Sequence, residues 1–132
     1  NNNHGTDDWK PIVAYIENNY TQAIAGMKLY DALLVNTIVE GMNLVAKEGP
    51  VVNGRDGVLV LSHSSGVHHQ LADGALSISP TDVEGTMEAL HQAITMSPQD
   101  RKDRASRLID SVCREDVNDW ITHQIEDISR LL

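Results

Sequence analysis

The stretch that decides the fold reads DALLVNTIVEGMNLVAKEGPVVNGRDGVLVL and runs over residues 31–61. It begins and ends with short apolar runs, Asp31–Val35 and Gly57–Leu61, which are too short for helices of ordinary length. Continuous apolar runs of this kind are typical of strands that are covered on both faces. Between them, Asn43–Val52 is a helical pattern whose first residue is a good N-cap, and Pro50 should kink or end that helix. This order predicts two neighbouring parallel strands joined by a right-handed crossover.

The flanking sequence extends the pattern into an α/β fold. Further strands are predicted at Pro11–Ile16 and Ala75–Ile78, and further helices at Thr21–Tyr30, Ser65–Leu71, Asp82–Met96, Pro98–Cys113 and about Val117–Leu131. The last two helices are amphipathic, with apolar faces formed by Ala105, Leu108, Ile109 and Val112, and by Trp120, Ile121, Ile125, Ile128 and Leu131. No internal repeat competes with this pattern. We therefore predict an α/β fold with a parallel sheet, followed by C-terminal helices over about 82–131.

Composition narrows the classes of function. Hydrophobic residues make up 41% and charged residues 22%, which is a globular balance. The net charge of −9 argues against a nucleic-acid partner, whose phosphates would be repelled. No apolar stretch is long enough to span a bilayer, so a membrane partner is not expected. Cys113 is the only cysteine and fits the pattern of a buried helix face, which favours a reducing, cytoplasmic compartment.

The chain length fits one domain, and the start of the sequence suggests a partial one. The 132 residues would form a single partial domain over 1–132. The first residues, Asn1–Thr6, lack an initial Met and resemble an internal loop. We therefore expect the chain to be a fragment that turns over no substrate by itself, with an exposed sheet edge that could support a homo-oligomer.

The loop after the strand at Asp31–Val35 is the first place to look for a ligand, because parallel sheets bind ligands beyond the carboxyl ends of their strands. Gly41 should allow a tight turn without a side chain in the way. The free backbone amides that follow would open a helix and form an anion site suited to a diphosphate; they belong to Met42, Asn43, Leu44 and Val45.

Two carboxylates flank these amides, Glu40 before the helix and Glu48 about one turn inside it. Ionised carboxylates only accept hydrogen bonds, which suits the recognition of hydroxyl groups. A sugar before the helix could offer hydroxyls to Glu40, and a ribose beyond the diphosphate could offer its diol to Glu48. From spacing alone, a solvated loop residue at Glu40 and an exposed helix position at Glu48 are the favoured interpretation.

The sequence around these carboxylates resembles that of the trehalose-6-phosphate synthase family. The donor-binding segment of that family usually reads DGMNLVAKE, where this chain has EGMNLVAKE at Glu40–Glu48. Other segments resemble the same family in order and spacing, namely HGTDDWKPI from His4, YDALLVN from Tyr30, GVLVLS from Gly57, DVEGTMEALHQAITM from Asp82 and EDVNDW from Glu115. The resemblance covers essentially the whole chain.

The resemblance implies a retaining glycosyltransferase of the GT-B architecture, with this chain as the C-terminal part of its Rossmann-like donor-binding domain, a parallel sheet followed by helices. Glu40, the catalytic candidate, would bind the donor sugar with the amides of Gly41, Met42 and Asn43. Leu44 and Val45 would give amides to the phosphates, and Glu48 would hold the ribose. The loop at Asn19 and Tyr20 could approach the base.

The reaction implied is transfer of glucose, with retention, from a nucleotide diphosphate glucose to a phosphorylated acceptor such as glucose 6-phosphate. No metal or other cofactor is implied. The acceptor would bind through an N-terminal domain that this chain lacks, and the Arg and Lys that meet the diphosphate in the family are also absent. The alternative function is a non-catalytic nucleotide-sugar-binding or regulatory module of the same fold.

The chain departs from the family pattern in three places. Glu40 replaces the common Asp, and Gly49-Pro50 follows Glu48 where many members continue a helix. Polar residues stand where acidic and small residues often follow the VLVLS strand; they are His63, Ser64, Ser65, His68 and His69. The three histidines could suggest a metal cluster, but no carboxylate or fourth ligand lies at helical spacing, so loop and surface roles are favoured.

Two other features have an ordinary structural explanation. Trp9 and Trp120 could stack on sugars, but Trp120 falls on an apolar helix face, which favours core packing. The charges over Asp100–Arg107 could bind a partner, but mixed signs at these spacings are typical of a solvated helix face.

Overall fold

The computed structural model describes residues 4–131. The strands are β1 (Ala32–Val35), β2 (Val58–Ser62) and β3 (Leu76–Ile78). The helices are α1 (Tyr20–Met27), α2 (Leu44–Val52), α3 (His68–Leu71), α4 (Val83–Thr95), α5 (Pro98–Arg114) and α6 (Val117–Leu131). Of the loop-like start, Asn1–Asn3 lie outside the described residues. None of the helices in this part of the chain is long and apolar enough to span a bilayer.

The sheet is parallel and has the order β1-β2-β3. Leu33 of β1 aligns with Leu59 of β2, and Val60 of β2 aligns with Leu76 of β3. The predicted pairing of the two strands in residues 31–61, with a helix between them in the chain, is confirmed. The predicted fold class is therefore confirmed as α/β with a parallel sheet.

The central strand β2 forms the middle of the core, and all five of its residues are buried. Its side chains alternate between two apolar clusters, one on each face of the sheet. One cluster joins Leu59 and Leu61 to α2, α3 and α5 and contains Val35, Ala46, Val67, Leu71, Ala75 and Leu108. The other joins Val58 and Val60 to β3 and α4 through Leu76, Ile78, Ala89 and Ala93. The fold thus has three layers.

Polar caps set the starts of the helices. The side chains of Asn43, Asp82 and Ser97 accept hydrogen bonds from backbone amides of α2, α4 and α5 at 2.8, 2.9 and 3.2 Å. These bonds satisfy amides that lack partners inside a helix. The helix starts predicted at Asn43, Asp82 and Pro98 are confirmed to within one residue.

The helix α2 passes Pro50 and ends at Val52, so the proline lies in its last turn. Gly49 explains how this end packs, because an added Cβ there would lie 2.5 Å from Cδ2 of Leu33. The missing side chain allows α2 to lie directly against β1. Gly49 and Pro50 therefore lie where the end of α2 packs against the sheet.

The strand predicted at Pro11–Ile16 is absent, which corrects the sequence interpretation. This segment has no regular structure, and Ile16 is 93% exposed. A strand needs a neighbour for its backbone hydrogen bonds, and within residues 4–131 the sheet contains no strand before β1. An apolar run alone therefore did not identify a strand here.

The charged face of α5 is less solvated than predicted. Arg101 donates to the backbone oxygens of Arg55 and Asp56, just before β2. Arg104 donates to the oxygens of Gly74 and Ala75, just before β3. The predicted solvated face is confirmed for most of its charged residues, which are exposed, but it was wrong for Arg101 and Arg104, which bind α5 to the loops at the amino ends of the strands.

The helix α6 has the predicted bounds, but none of its residues is buried. Trp120 is 59% exposed, so the prediction that it packs in the core was wrong. Cys113, predicted on a buried face, is also exposed. The apolar stripe of α6 is present, but the described part of the chain provides no surface that covers it.

Candidate functional site

Two loops meet at the carboxyl edge of the sheet, one after β1 and one after β2. Glu40 and Ser65 form an isolated parallel bridge, and the amide of Gly66 donates to the oxygen of Glu40 at 3.0 Å. An added Cβ at Gly66 would lie 2.0 Å from the oxygen of Gly41. The strand pairing therefore continues beyond the sheet, and glycine is required at position 66 by close backbone approach.

The carboxylate of Glu40 is held from two directions. Nδ2 of Asn43 lies 2.9 and 3.1 Å from its two oxygens, and Oγ of Ser65 donates to Oε1 at 2.9 Å. The carboxamide of Asn43 also caps α2 through its Oδ1, which accepts from the amide of Ala46 at 2.8 Å. One side chain thus connects the carboxylate to the start of the helix.

These contacts keep Glu40 ionised. Partial desolvation by itself would raise the pKa of Glu40, but nearby Thr37 and hydrogen bonds from Ser65 and Asn43 lower it below its usual value. The buried Oγ1 of Thr37 makes no hydrogen bond of good geometry within residues 4–131, so the geometric anchors of the carboxylate are Ser65 and Asn43. Glu40 is therefore a fixed anion that can accept hydrogen bonds from hydroxyl groups.

The first turn of α2 offers two backbone amides to an anion. The amide of Ala46 is occupied by the cap, whereas those of Leu44 and Val45 have no partner among the described residues. Both residues are exposed, at 61% and 43%. Free amides at a helix N-terminus and the helix dipole together favour a bound phosphate.

Gly41 contributes space and does not provide an unusual turn. The backbone bends at Gly41, and its φ is not positive, so the bend itself does not require glycine. An added Cβ would meet nothing within 4 Å, which shows that the backbone borders open space at the edge of the sheet. Met42 follows with a side chain that is 66% exposed. This part of the loop is therefore exposed at the edge of the sheet.

Glu48 lies one turn beyond the free amides. It is half-buried and lies four residues after Leu44, so the two share a face of α2. Its carboxylate has no hydrogen-bond or ion-pair partner among the described residues, which leaves it free to accept from a ligand. The predicted site residues therefore follow one another in space as they do in the chain.

A cavity of about 700 Å³ adjoins the loop of Gly41. Its lining includes Met42, Lys47 and Gly66 near the sheet edge, together with Trp120 and His123 from α6. The sequence interpretation did not include Lys47 or Ser65 in the site. Ser65 could have been found from topology, since it follows the strand that neighbours β1 in a parallel sheet.

The three histidines after β2 do not converge. The ring of His63 bonds Ser64 at 3.1 Å, that of His68 bonds Ser77 at 2.8 Å, and that of His69 bonds the oxygen of Gly66. Within residues 4–131 no group of three or more His, Cys, Asp or Glu side chains could hold a metal ion. Each histidine therefore has a separate local role.

Asn19 and Tyr20, the candidates for contact with a base, lie at the start of α1. Asn19 caps that helix by accepting from the amide of Gln22 at 3.1 Å, and Tyr20 is 66% exposed. Neither residue lines the cavity beside Gly41. Their role toward a base stays a prediction.

Comparison with known proteins identifies the family whose sequence pattern this chain matches. The sequence pattern of glycosyltransferase family 20 matches residues 1–130. A trehalose-6-phosphate synthase from Sinorhizobium fredii is 34% identical over 129 residues, which cover 95% of this chain and 27% of that protein. The chain thus spans about a quarter of the length of this relative.

Two solved structures share the fold. One is a trehalose-6-phosphate synthase studied with bisubstrate glycomimetics for glycosyl transfer with retention; it superposes with a TM-score of 0.90 and 30% identity, over 100% of this chain and 30% of that one. The other is a UDP-forming α,α-trehalose-phosphate synthase from Burkholderia xenovorans in complex with glucose 6-phosphate, with a TM-score of 0.85 and 31% identity over 94% of this chain and 28% of that one.

Proposed function

The chain belongs to glycosyltransferase family 20, and from this we propose that it is the donor-binding part of a retaining glycosyltransferase. The complete enzyme would transfer glucose from a nucleotide diphosphate glucose to a sugar phosphate. The observation that carries the proposal is the order of groups along the start of α2: the fixed carboxylate of Glu40, the free amides of Leu44 and Val45, and the free carboxylate of Glu48.

This order matches the order of groups in a nucleotide sugar. The hydroxyls of the sugar would lie at Glu40 and the amides of Gly41, Met42 and Asn43. The diphosphate would lie at the N-terminus of α2, where the helix dipole offsets its charge without a metal ion. The ribose diol would then reach Glu48, about one helical turn further along.

Glu40 is the catalytic candidate because it would touch the sugar that is transferred. A fixed anion beside the donor sugar can orient it by accepting from its hydroxyls, so that the reacting carbon faces the acceptor. The negative charge of Glu40 would also stabilise the partial positive charge that develops on the sugar as its bond to the diphosphate breaks. The diphosphate would leave as an anion that the amides of Leu44 and Val45 already bind.

The relatives support a choice of donor and acceptor. A structural relative is UDP-forming and binds glucose 6-phosphate, so we propose uridine diphosphate glucose and glucose 6-phosphate as the substrates. The acceptor would bind through another part of the complete protein. The lone Cys113 is consistent with a cytoplasmic enzyme, which remains part of this proposal.

The test is an assay of the full-length protein with UDP-glucose or GDP-glucose and glucose 6-phosphate, with the product followed by anomeric proton NMR. We expect an α-linked disaccharide phosphate and faster transfer from UDP-glucose. A β-linked product would contradict retention. Donor binding without transfer to any sugar phosphate would indicate a non-catalytic nucleotide-sugar-binding module.

A further inference from the structure

Ser65 lies at the contact between the two loops of the site. It is 3% exposed, and its hydroxyl donates to Oε1 of Glu40 at 2.9 Å. Its backbone forms the parallel bridge with Glu40 that continues the pairing of β1 and β2. A buried hydroxyl from the loop after β2 therefore contacts the carboxylate of Glu40, whereas Asn43 contacts it from the same loop as Glu40.

We propose that Ser65 is a positioning residue for glucosyl transfer, which fixes the carboxylate of Glu40 in the orientation that the donor sugar requires. This role rests on the proposed function of Glu40. Ser65 does not contact the donor in this arrangement and acts through the carboxylate alone.

The geometry explains why a second anchor is needed. The glutamate side chain has three rotatable bonds, and Asn43 contacts both of its oxygens through a single nitrogen at 2.9 and 3.1 Å. One nitrogen fixes the distance of the carboxylate but leaves its plane free to rotate. The hydroxyl of Ser65 binds Oε1 alone, so it distinguishes the two oxygens and sets the plane. A carboxylate held in a fixed orientation should increase the rate of glucosyl transfer, because misplaced groups react slowly.

The hydroxyl of Ser65 can be removed without breaking the loop. The amide of Ser65 donates to the oxygen of Ser62 at 3.2 Å, and its own oxygen accepts from the amide of His68 at 2.9 Å. Both bonds use the backbone, as does the bridge to Glu40. Ser65→Ala should therefore keep the turn and lose only the side-chain contact.

Other ionisable groups border the same space and must be separated from the effect on Glu40. Lys47 of α2 and His69 of α3 line the cavity beside Gly41, as do Glu115, Asp116, Asp119 and His123 from the α5–α6 region. A pH profile of activity would combine all of these groups. The titration of Glu40 is therefore best observed at its own carboxyl carbon.

The first experiment is a carbon-13 NMR titration of the 132-residue chain and its variants. Ser65→Ala and the similarly sized, weakly donating Ser65→Cys should raise the pKa of Glu40, because a hydrogen bond to the ionised form is lost. The matched control is Ser64→Ala, since Ser64 bonds His63 and not Glu40. An unchanged pKa in Ser65→Ala, or an equal rise in Ser64→Ala, would overturn the contact.

The second experiment measures transfer in the full-length protein with UDP-glucose and glucose 6-phosphate. Ser65→Ala should lower kcat by about tenfold or more, as expected for the loss of one hydrogen bond to a charged group, with little change in the KM of the acceptor. In a Glu40→Asp background, Ser65→Ala should have almost no further effect, because the shorter carboxylate cannot reach the hydroxyl.

Two outcomes separate this role from the function on which it rests. If Ser65→Ala lowered kcat equally in the Glu40 and Glu40→Asp backgrounds, or left kcat unchanged, the positioning role alone would be wrong. If the wild-type protein bound the donor but transferred no glucose, the proposed function would fail and this role with it.

Discussion

At the scale of single residues, Asn43 links two parts of the site, the carboxylate of Glu40 and the start of α2. Its Nδ2 donates to the carboxylate of Glu40, and its Oδ1 caps α2. The side chain is therefore fully used inside the protein, and only its backbone amide remains for a donor sugar. Any movement of the helix start would be passed to the carboxylate through this one carboxamide.

In the full-length protein, replacing Glu40 or Glu48 by alanine should impair the binding of different parts of the donor. Glu48→Ala should weaken binding of the bare nucleoside diphosphate by about 1.5–3 kcal/mol, because a charged acceptor for the ribose hydroxyls is lost. Glu40→Ala should leave that binding almost unchanged and weaken the nucleotide sugar or its turnover. Calorimetric titration with both ligands distinguishes the two. Equal loss of the bare nucleotide in both variants would refute separate roles.

The acid sensitivity of the fold should depend partly on Glu40. Its pKa is lowered in the folded chain, so its hydrogen bonds stabilise the fold above its unfolded pKa and are lost as the pH falls through the folded value. Glu40→Gln should therefore lose less stability than wild type between neutral pH and about pH 3. Urea unfolding across this range measures the difference.

Asp116 provides the comparison for this measurement. The amide of Asp119, then the side chain and amide of Asn118, lower the pKa of Asp116 at the start of α6. Because no residue of α6 is buried, losing these bonds should loosen the start of α6 without flattening the acid limb of global unfolding, so the Asp116→Asn profile should follow that of wild type. A Glu40→Gln profile that stayed parallel to wild type would contradict the assignment for Glu40.

At the scale of elements, the two loops behave as one unit because Gly66 lies against the backbone of Gly41. Gly66→Ala would place a Cβ 2.0 Å from the oxygen of Gly41, and the loops would have to separate. We expect a loss of about 1–3 kcal/mol in the free energy of unfolding, which is typical of overpacking. Chemical denaturation of the 132-residue chain measures it.

Gly26→Ala is the matched control for this substitution. Gly26 lies inside α1, and an added Cβ there would meet nothing within 4 Å. Alanine in a helix is favoured over glycine by about 0.5–1 kcal/mol, so this variant should be unchanged or more stable. Equal destabilisation by both substitutions would show that the contact at Gly66 is not the cause.

The elements of the fold were predictable where the pattern was local. β1, β2 and the caps at Asn43 and Asp82 follow from apolar runs and cap residues. The segment at Pro11–Ile16 was misread because an apolar run shows neither whether a neighbouring strand exists nor where it lies. Long-range contacts were likewise invisible: nothing in the order of residues shows that Arg104 reaches Gly74.

The residues of the candidate site stay a prediction, and their geometry was only partly predictable. The order Glu40, free amides, Glu48 can be read along the chain around a capped helix start, but the roles of these groups rest on the family resemblance. The contact of Glu40 with Ser65 joins residues from different loops, so it depends on the register of β1 against β2. Register is fixed by tertiary packing and could not be read from the loop itself.

At the scale of the whole molecule, α6 should contribute little to stability. None of its residues is buried, so removing residues 117–132 takes little apolar surface out of the core. The truncated chain should keep nearly the same midpoint of thermal unfolding, measured by circular dichroism. Leu108→Ala provides the contrast, because Leu108 is 1% exposed and its truncation should cost about 2–5 kcal/mol. A large drop in midpoint on removing α6 would contradict this view.

The positions of the two tryptophans decide what an optical experiment on this chain would observe. Trp9 and Trp120 are 58% and 59% exposed, so the native emission spectrum should already be red-shifted, as for indoles in water. The core around Leu59 and Leu61 contains no tryptophan. Intrinsic fluorescence would thus report the periphery, and its unfolding curve should not coincide with one that follows the backbone. A tryptophan placed at a core position would be needed to monitor the loss of the sheet by emission.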